Sequence, residues 1–253
     1  MVKKFNRSRD KATSSDKRVN LTKRDLLWFE FLHRHGERLP TSYLHEYTAD
    51  RWKHFTASKL RLTDLFHEKN TAHKGTYILR PFQQFNMRNY LENEVLHVNS
   101  PRAIQALKDE ALFSNYVPSP GGSFHHQVIT SCITASFELC CLINGNIRYI
   151  PQHEILENAN SPLKIDIDGG LIPDGFFGLE KNGKSVYYFV EVDRATEYEN
   201  ETDKAMSNKR KSWERNVKQY AKLIGKRIYQ DQFRIEGKAY LLNFTTAQRR
   251  AQN

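Results

Sequence analysis

One strand-turn-strand pattern dominates the second half of this 253-residue chain and restricts what that half can become. Lys181-Asn182-Gly183-Lys184 supplies a two-residue hairpin turn, because Asn-Gly tolerates the positive φ angles that a tight turn between twisted strands requires. On one side lies Ile172-Pro173-Asp174-Gly175-Phe176-Phe177-Gly178-Leu179. On the other lies Ser185-Val186-Tyr187-Tyr188-Phe189-Val190-Glu191-Val192-Asp193, rich in the β-branched and aromatic residues that strands favour. A hairpin brings the start of its first strand beside the end of its second, so Asp174 is expected near Glu191 and Asp193. Residues two apart on a strand share a face, so Glu191 and Asp193 are expected to point the same way.

Clustered carboxylates repel unless a cation sits between them. A hard divalent ion, Mg²⁺ or Mn²⁺, is the natural occupant of such a cluster, and it activates water and stabilises charge on a phosphodiester. Asp174, Glu191 and Asp193 are therefore the candidate catalytic and metal-ligating residues. Glu138, on the helix that opens this half, is a candidate accessory ligand. His125 and His126, at the start of that helix, are weaker candidates for metal or phosphate. Asp166 and Asp168 alternate with Ile165 and Ile167 as on a half-exposed strand edge, and Glu197 is either a hydrogen-bonding group of the site or solvated.

The surrounding pattern is helix, strand, hairpin, helix, strand. A helix runs through about Leu142, a strand covers Ile147–Ile150, and a long basic helix spans roughly 208–224. The last strand covers Lys238–Phe244. This order implies an α/β layer with a mixed sheet. The basic helix carries Lys209, Arg210, Lys211, Arg215 and Lys218, whose positive face suits a DNA backbone. Burial of Trp213, Val217, Tyr220 and Leu223 is the alternative account of the same pattern.

The first half reads differently. Residues 1–20 hold seven Lys and Arg against Asp10 and Asp16, as in a disordered basic arm. From Leu21, apolar positions at helical spacing run to Gly36. A second helix begins after Pro40 and a third covers Thr56–Phe66, followed by a turn and a strand through Ile78 and Leu79. Three helices and a Gly-turned strand outline a winged helix-turn-helix, whose third helix enters the major groove. On and near that helix Lys53, Ser58, Lys59 and Arg61 are of types that reach phosphates or base edges. Residues 86–113 read as one or two further helices interrupted at Ser100-Pro101. Pro118-Ser119-Pro120-Gly121-Gly122 is the clearest break, which gives a winged-helix-like domain over 21–118 and a second domain over 123–253.

The charge balance of +10 draws polyanions, of which nucleic acid is the usual one. Cys132, Cys140 and Cys141 lie in one apolar segment without metal or disulfide spacing, so buried thiols in a reducing cytoplasm are expected. No signal-like segment and no run near eighteen apolar residues is read from the sequence, so secretion and membrane association are not expected.

Pro173-Asp174 and Glu191-Val192-Asp193 resemble the first and second elements of the PD-(D/E)xK nuclease superfamily. Ile172–Asp193, Arg194-Ala195-Thr196-Glu197 and the 209–220 helix are similar to the replication-relaxation family of plasmid and mobile-element proteins, which pair a winged helix with a nuclease-like fold. The resemblance implies an α+β or α/β architecture, with an N-terminal winged helix and a C-terminal mixed sheet flanked by helices. It implies DNA as partner, in plasmid or phage replication or mobilisation or its control, together with a replication, mobilisation or host-defence protein and a second copy of the chain. It also implies Mg²⁺ or Mn²⁺ if the protein cleaves DNA. The superfamily's lysine falls where this chain has Asp193. Either Asp193 is a third ligand, with the cation supplied by Lys204, Lys209, Lys211 or Lys218, or the fold serves DNA binding or the blocking of a host protein without cleavage.

Overall fold

The computed structural model describes residues 19–50, 53–67, 76–86, 94–118, 121–193 and 213–245. Most of the basic arm, the Lys209-Arg210-Lys211 cluster, Glu197 and Lys204 lie outside them. The chain divides into two compact units, residues 1–115 with 131–142, and residues 116–130 with 143–253.

In the first unit, helix α1 (Lys23–Arg34) starts at a capping box. The Thr22 hydroxyl accepts from the Asp25 N–H at 3.3 Å, and the Asp25 carboxylate accepts from the Thr22 N–H at 2.8 Å. Trp28, Phe29, Phe31 and Leu32 are fully buried along its inner face, as their spacing requires. The Trp28 indole N–H reaches the Leu44 carbonyl at 2.6 Å, which fastens α1 to helix α2 (Thr41–Tyr47). Helix α3 (Phe55–His67) buries Leu62, Leu65 and Phe66. A small antiparallel sheet joins β1 (Leu39–Pro40), β3 (Leu96–Asn99) and β2 (Ile78–Leu79), in the order β1-β3-β2. Helix α4 (Pro101–Asp109) closes the unit.

Three helices followed by paired strands match the expected outline of this half. Two strands were not anticipated. β1 is too short to show alternation. β3 lies where a helix was expected, because Ser100-Pro101 starts a helix and does not interrupt one. The Ser100 hydroxyl accepts from the Arg102 and Ala103 N–H groups, Pro101 takes the first helical position, and the chain before it is extended.

In the second unit a mixed sheet runs β4 (Arg148–Ile150), β5 (Gly175–Lys181), β6 (Lys184–Asp193), β7 (Lys238–Thr245), antiparallel except for the parallel β6–β7 pair. Asn182 and Gly183 both have positive φ, 52° and 71°, as the hairpin needs. The parallel pair requires a crossover, supplied here by helices α7 (Trp213–Gly225) and α8 (Ile228–Phe233). Helix α6 (Gln152–Ala159), in a stretch read as a loop, adds Ile155, Leu156 and Ala159 to the core. Phe176 and Phe189 stack at 4.6 Å between ring centroids, and Tyr220, Leu223, Tyr229 and Phe233 pack in the same cluster.

Helix α5 (Phe124–Asn144) departs from the expected domain division, since its residues 131–142 belong to the first unit and 124–130 to the second. With 21 residues and an 18-residue window of mean hydropathy 1.3 it is long and apolar enough to cross a membrane, although polar residues interrupt it and it holds no run of eighteen apolar residues. Its middle is built as a core segment of the first unit: Ala135 is fully buried there, and Glu138 is 7% exposed within an ion pair. All three cysteines are free. Cys132 is half-buried, and desolvation pushes its thiol up to about 12. Cys140 is exposed, against the expectation of burial, because it faces outward on α5.

Candidate acidic site and nucleic-acid surface

Gly175 pairs with Val190, so the hairpin brings Asp174 to the rung of Glu191. The regular ladder gives way at that rung. The Asp174 N–H donates to the Val190 carbonyl at 3.0 Å, and the Asp174 side chain takes over the next bond, with Oδ2 accepting from the Val192 N–H at 2.8 Å. Its other oxygen lies 3.0 Å from His126 Nε2 at the start of α5, and the carboxylate is 24% exposed. Asp174 thus ends β5 and faces solvent at once.

Glu191 is met from the other side. Tyr220, on the inner face of α7, donates its hydroxyl to Glu191 Oε1. Burial first, and then the charges of Glu191 and Asp174, push the Tyr220 hydroxyl well above the usual tyrosine range, so it stays protonated and donates. Because the Asp174 carboxylate accepts from the N–H of Val192, the residue after Glu191, the two carboxylates share one neighbourhood. This is the expected meeting of Asp174 with Glu191. Asp193 ends β6 opposite Thr245 on β7, and its side chain lies outside the described residues.

Helix α7 is held over this end of the sheet by a strap absent from the sequence reading. Gln219 donates to the carbonyls of Ile167 and Asp168 at 3.1 and 3.2 Å, and Lys222 pairs with Asp168 Oδ1 at 2.6 Å. Asp168 and Gly170 adopt positive φ in this turn, which lets several carbonyls converge on one amide. Gln219 is 2% exposed; its place beside Tyr220 on the inner side of a cationic helix was the available sign of it.

Several candidates are placed elsewhere. Glu138, expected as a metal ligand, belongs to a buried cluster of the first unit, with Oε1 2.8 Å from Arg34 and Oε2 2.7 Å from His35. Both of its oxygens are engaged by protein partners. Ser58, expected to face DNA, is fully buried and bonds His45 Nδ1 at 3.0 Å. Arg61 forms a two-pronged pair with the fully buried Asp25, at 3.0 and 2.5 Å, and also donates to the Asn20 carbonyl. These two side chains of α3 hold the fold together. Lys53 and Lys59 are exposed.

On α7, Arg215 donates to the Asp168 carbonyl at 2.7 Å and so takes part in the strap. Lys218 is exposed and pairs with Glu214 one turn earlier at 2.8 Å, a surface contact of little energetic weight. Asp166 is exposed, and Asp168 is occupied by the strap. His125 packs edge-on against Phe124.

Among the described residues no group of three His, Cys, Asp or Glu is arranged to hold a metal ion. Asp174, Glu191 and His126 do not fit Mg²⁺ or Mn²⁺ by themselves. Both Asp174 oxygens and Glu191 Oε1 already have protein partners, and hard ions take six or more oxygen ligands or ordered waters in a regular shell. What the arrangement does chemically is hold two carboxylates at the strand ends through a hydroxyl, an imidazole and a backbone N–H.

No protein-family model matches the chain, and no curated protein matches it. Among solved structures, one of the SdaI restriction endonuclease aligns over 88% of this chain and 79% of that chain, with 10% identity and a TM-score of 0.18. A superposition at that level does not establish a shared fold.

Proposed function

We propose that this chain is a DNA-binding protein whose C-terminal unit is a nuclease-like α/β layer with Asp174 and Glu191 at its acidic centre. The observation that supports the reading best is the meeting of these two carboxylates at the end of a mixed sheet, where Asp174 accepts from the Val192 N–H and Glu191 accepts from the Tyr220 hydroxyl. The order helix, strand, hairpin, helix, strand agrees with it, and the net charge of +10 supplies a field that attracts DNA. In the replication-relaxation likeness, the setting is replication or mobilisation of a plasmid or phage, or its control. The test is duplex DNA binding measured against ionic strength. Affinity is expected to fall steeply and log-linearly with salt. A flat salt response, or no binding at low salt, removes the proposal.

A second reading is a divalent-metal-dependent endonuclease. Asp174 and Glu191 do not make a shell for the ion alone, so this reading takes Asp193, two residues after Glu191 on the same strand, as a further ligand. Cleavage of plasmid DNA in Mn²⁺ that is lost in both Asp174→Ala and Glu191→Ala supports this reading. Intact plasmid under all conditions leaves the binding function alone.

A further inference from the structure

The face of the C-terminal sheet away from Glu191 and Tyr220 has a character of its own. Register fixes its membership. Tyr188 pairs with Phe177 on one side and with Tyr240 on the other, and Tyr149 pairs with Leu179. Side chains at paired positions share a face, so Tyr149, Phe177, Tyr188 and Tyr240 form one row across all four strands. Their rings stack in succession, at 5.4, 5.3 and 5.9 Å between centroids and 23°, 24° and 28° between planes. Phe177 is fully buried and anchors the row. Tyr149 and Tyr188 are half-buried, and Tyr240 is 48% exposed on the last strand.

The same register places Lys181 opposite Lys184, and Lys238 beside Val186, on this face at its hairpin end. All three lysines are exposed, and among the described residues none is in an ion pair. No strand position of this face carries Asp or Glu. Glu180 belongs to the opposite face, where it pairs with Arg148. Like charges directly opposite each other on a sheet are unfavourable, and Lys181 and Lys184 are such a pair. A polyanion along this edge relieves that cost. Inside the row the ring faces are taken by their neighbours, and Tyr240 ends it on the edge strand; an exposed ring beside a cationic rim takes an unpaired base by stacking and its phosphates by charge.

We propose that this sheet face binds single-stranded DNA, with an unpaired base stacking on the exposed ring of Tyr240 at the edge of the sheet and the backbone following Lys181, Lys184 and Lys238. The inference rests on the DNA-binding reading above and names the form of DNA recognised. Duplex bases are stacked on one another and offer no free ring faces, so the platform acts only where strands are open.

The test is fluorescence anisotropy of a labelled twelve-residue oligo-dT with the full chain. Wild type is expected to bind it, and Tyr240→Leu to weaken that binding about 5-fold or more while leaving duplex affinity unchanged. Tyr240→Phe, which keeps the ring, is expected to match wild type. A double variant, Lys184→Gln with Lys238→Gln, sits at exposed positions and needs no repacking; it is expected to reduce the salt slope for oligo-dT by about 1.4. Unchanged oligo-dT binding in Tyr240→Leu, or an unchanged slope in the double variant, overturns the platform. Duplex binding without oligo-dT binding overturns it and leaves the proposed function standing. Binding of neither removes both. Tighter binding of oligo-U than of oligo-dT overturns the assignment to DNA.

Discussion

The two units treat their inward-facing carboxylates in opposite ways. In the first, Asp25 is fully buried and gripped by Arg61, with Arg24 3.7 Å away, and Glu138 is gripped by Arg34 and His35. In the second, Asp174 and Glu191 are met by an imidazole, a backbone N–H and a tyrosine hydroxyl. A guanidinium neutralises a carboxylate permanently and turns it into part of the scaffold. A neutral donor orients a carboxylate and leaves its negative charge in place. The difference explains why Glu138, an acid of the right type on a helix near the right place, belongs to the architecture while Asp174 and Glu191 stay candidates for function.

The largest expected effect breaks this contrast directly. Glu138→Ala removes the buried carboxylate that Arg34 and His35 share, and leaves Arg34, whose side chain is 12% exposed, with Glu30 and the Tyr47 hydroxyl as partners. Breaking a buried pair typically costs about 3–5 kcal/mol, and the remaining Glu30 pair puts the expected loss at the lower end of that range. Glu191→Ala strands the neutral Tyr220 hydroxyl, an expected cost of about 1–3 kcal/mol. Chemical denaturation of both variants measures the ratio. Equal losses end the distinction between scaffold and site.

Acid separates the units by a second route. Burial pushes the His97 imidazole down to about 3, with Arg80 adding to the shift, and it pushes His35 down as well. Both lie in the first unit. A histidine held neutral in the folded state destabilises it as the pH falls through the unfolded value near 6.5, because only the unfolded chain takes up the proton. Stability is therefore complete above about pH 7 and declines below about pH 6.5. At pH 5 the loss through His97 is about 2 kcal/mol. Urea unfolding between pH 7.5 and 5 checks this, and His97→Gln is expected to flatten the acid limb. A slope unchanged by that substitution rules out His97 as its source.

How much of this was legible in the sequence follows from the range of the interactions. The β5–β6 hairpin and its meeting of Asp174 with Glu191 are local: an Asn-Gly turn and alternating apolar residues specify them within twenty positions. Helices α1, α2, α3, α5 and α7 were legible for the same reason, through apolar spacing and caps. Ser58, Arg61 and Glu138 were misplaced because their roles depend on partners far along the chain. Arg61 bonds Asp25 thirty-six residues away, and His35 bonds Glu138 at a separation of 103. Side-chain type alone does not say whether an arginine on α3 points at a phosphate or at a buried aspartate. The strand β3 was missed because a capping serine before proline also reads as a break.

A smaller effect sharpens the description of the acidic site. Tyr220→Phe keeps the packed ring against Phe189, 5.9 Å between centroids, and deletes only the hydroxyl donated to Glu191. The expected stability cost is about 1 kcal/mol. Relaxing Glu191 also changes whatever the carboxylates do. Oligonucleotide binding or cleavage that responds to Tyr220→Phe as it does to Glu191→Ala identifies Tyr220 as the group that positions Glu191. A response confined to the melting temperature assigns Tyr220 to the core.

The smallest effect concerns α3, where neighbours of similar chemistry differ in role. Lys59 is exposed, whereas Ser58 is buried against His45 and Arg61 is committed to Asp25. Lys59→Ala is expected to change stability by no more than about 0.5 kcal/mol, as surface substitutions do. It is also expected to reduce the slope of log affinity against log salt for duplex DNA by about 0.9, the loss of one neutralised phosphate. Ser58→Ala is expected to leave that slope alone and to lower stability by breaking a buried hydrogen bond. Lys53→Ala extends the measurement to the chain just before the helix. If Lys59→Ala and Lys53→Ala both leave the salt slope intact, α3 is not the helix that meets the duplex, and the attraction of DNA to this protein resides elsewhere on the chain.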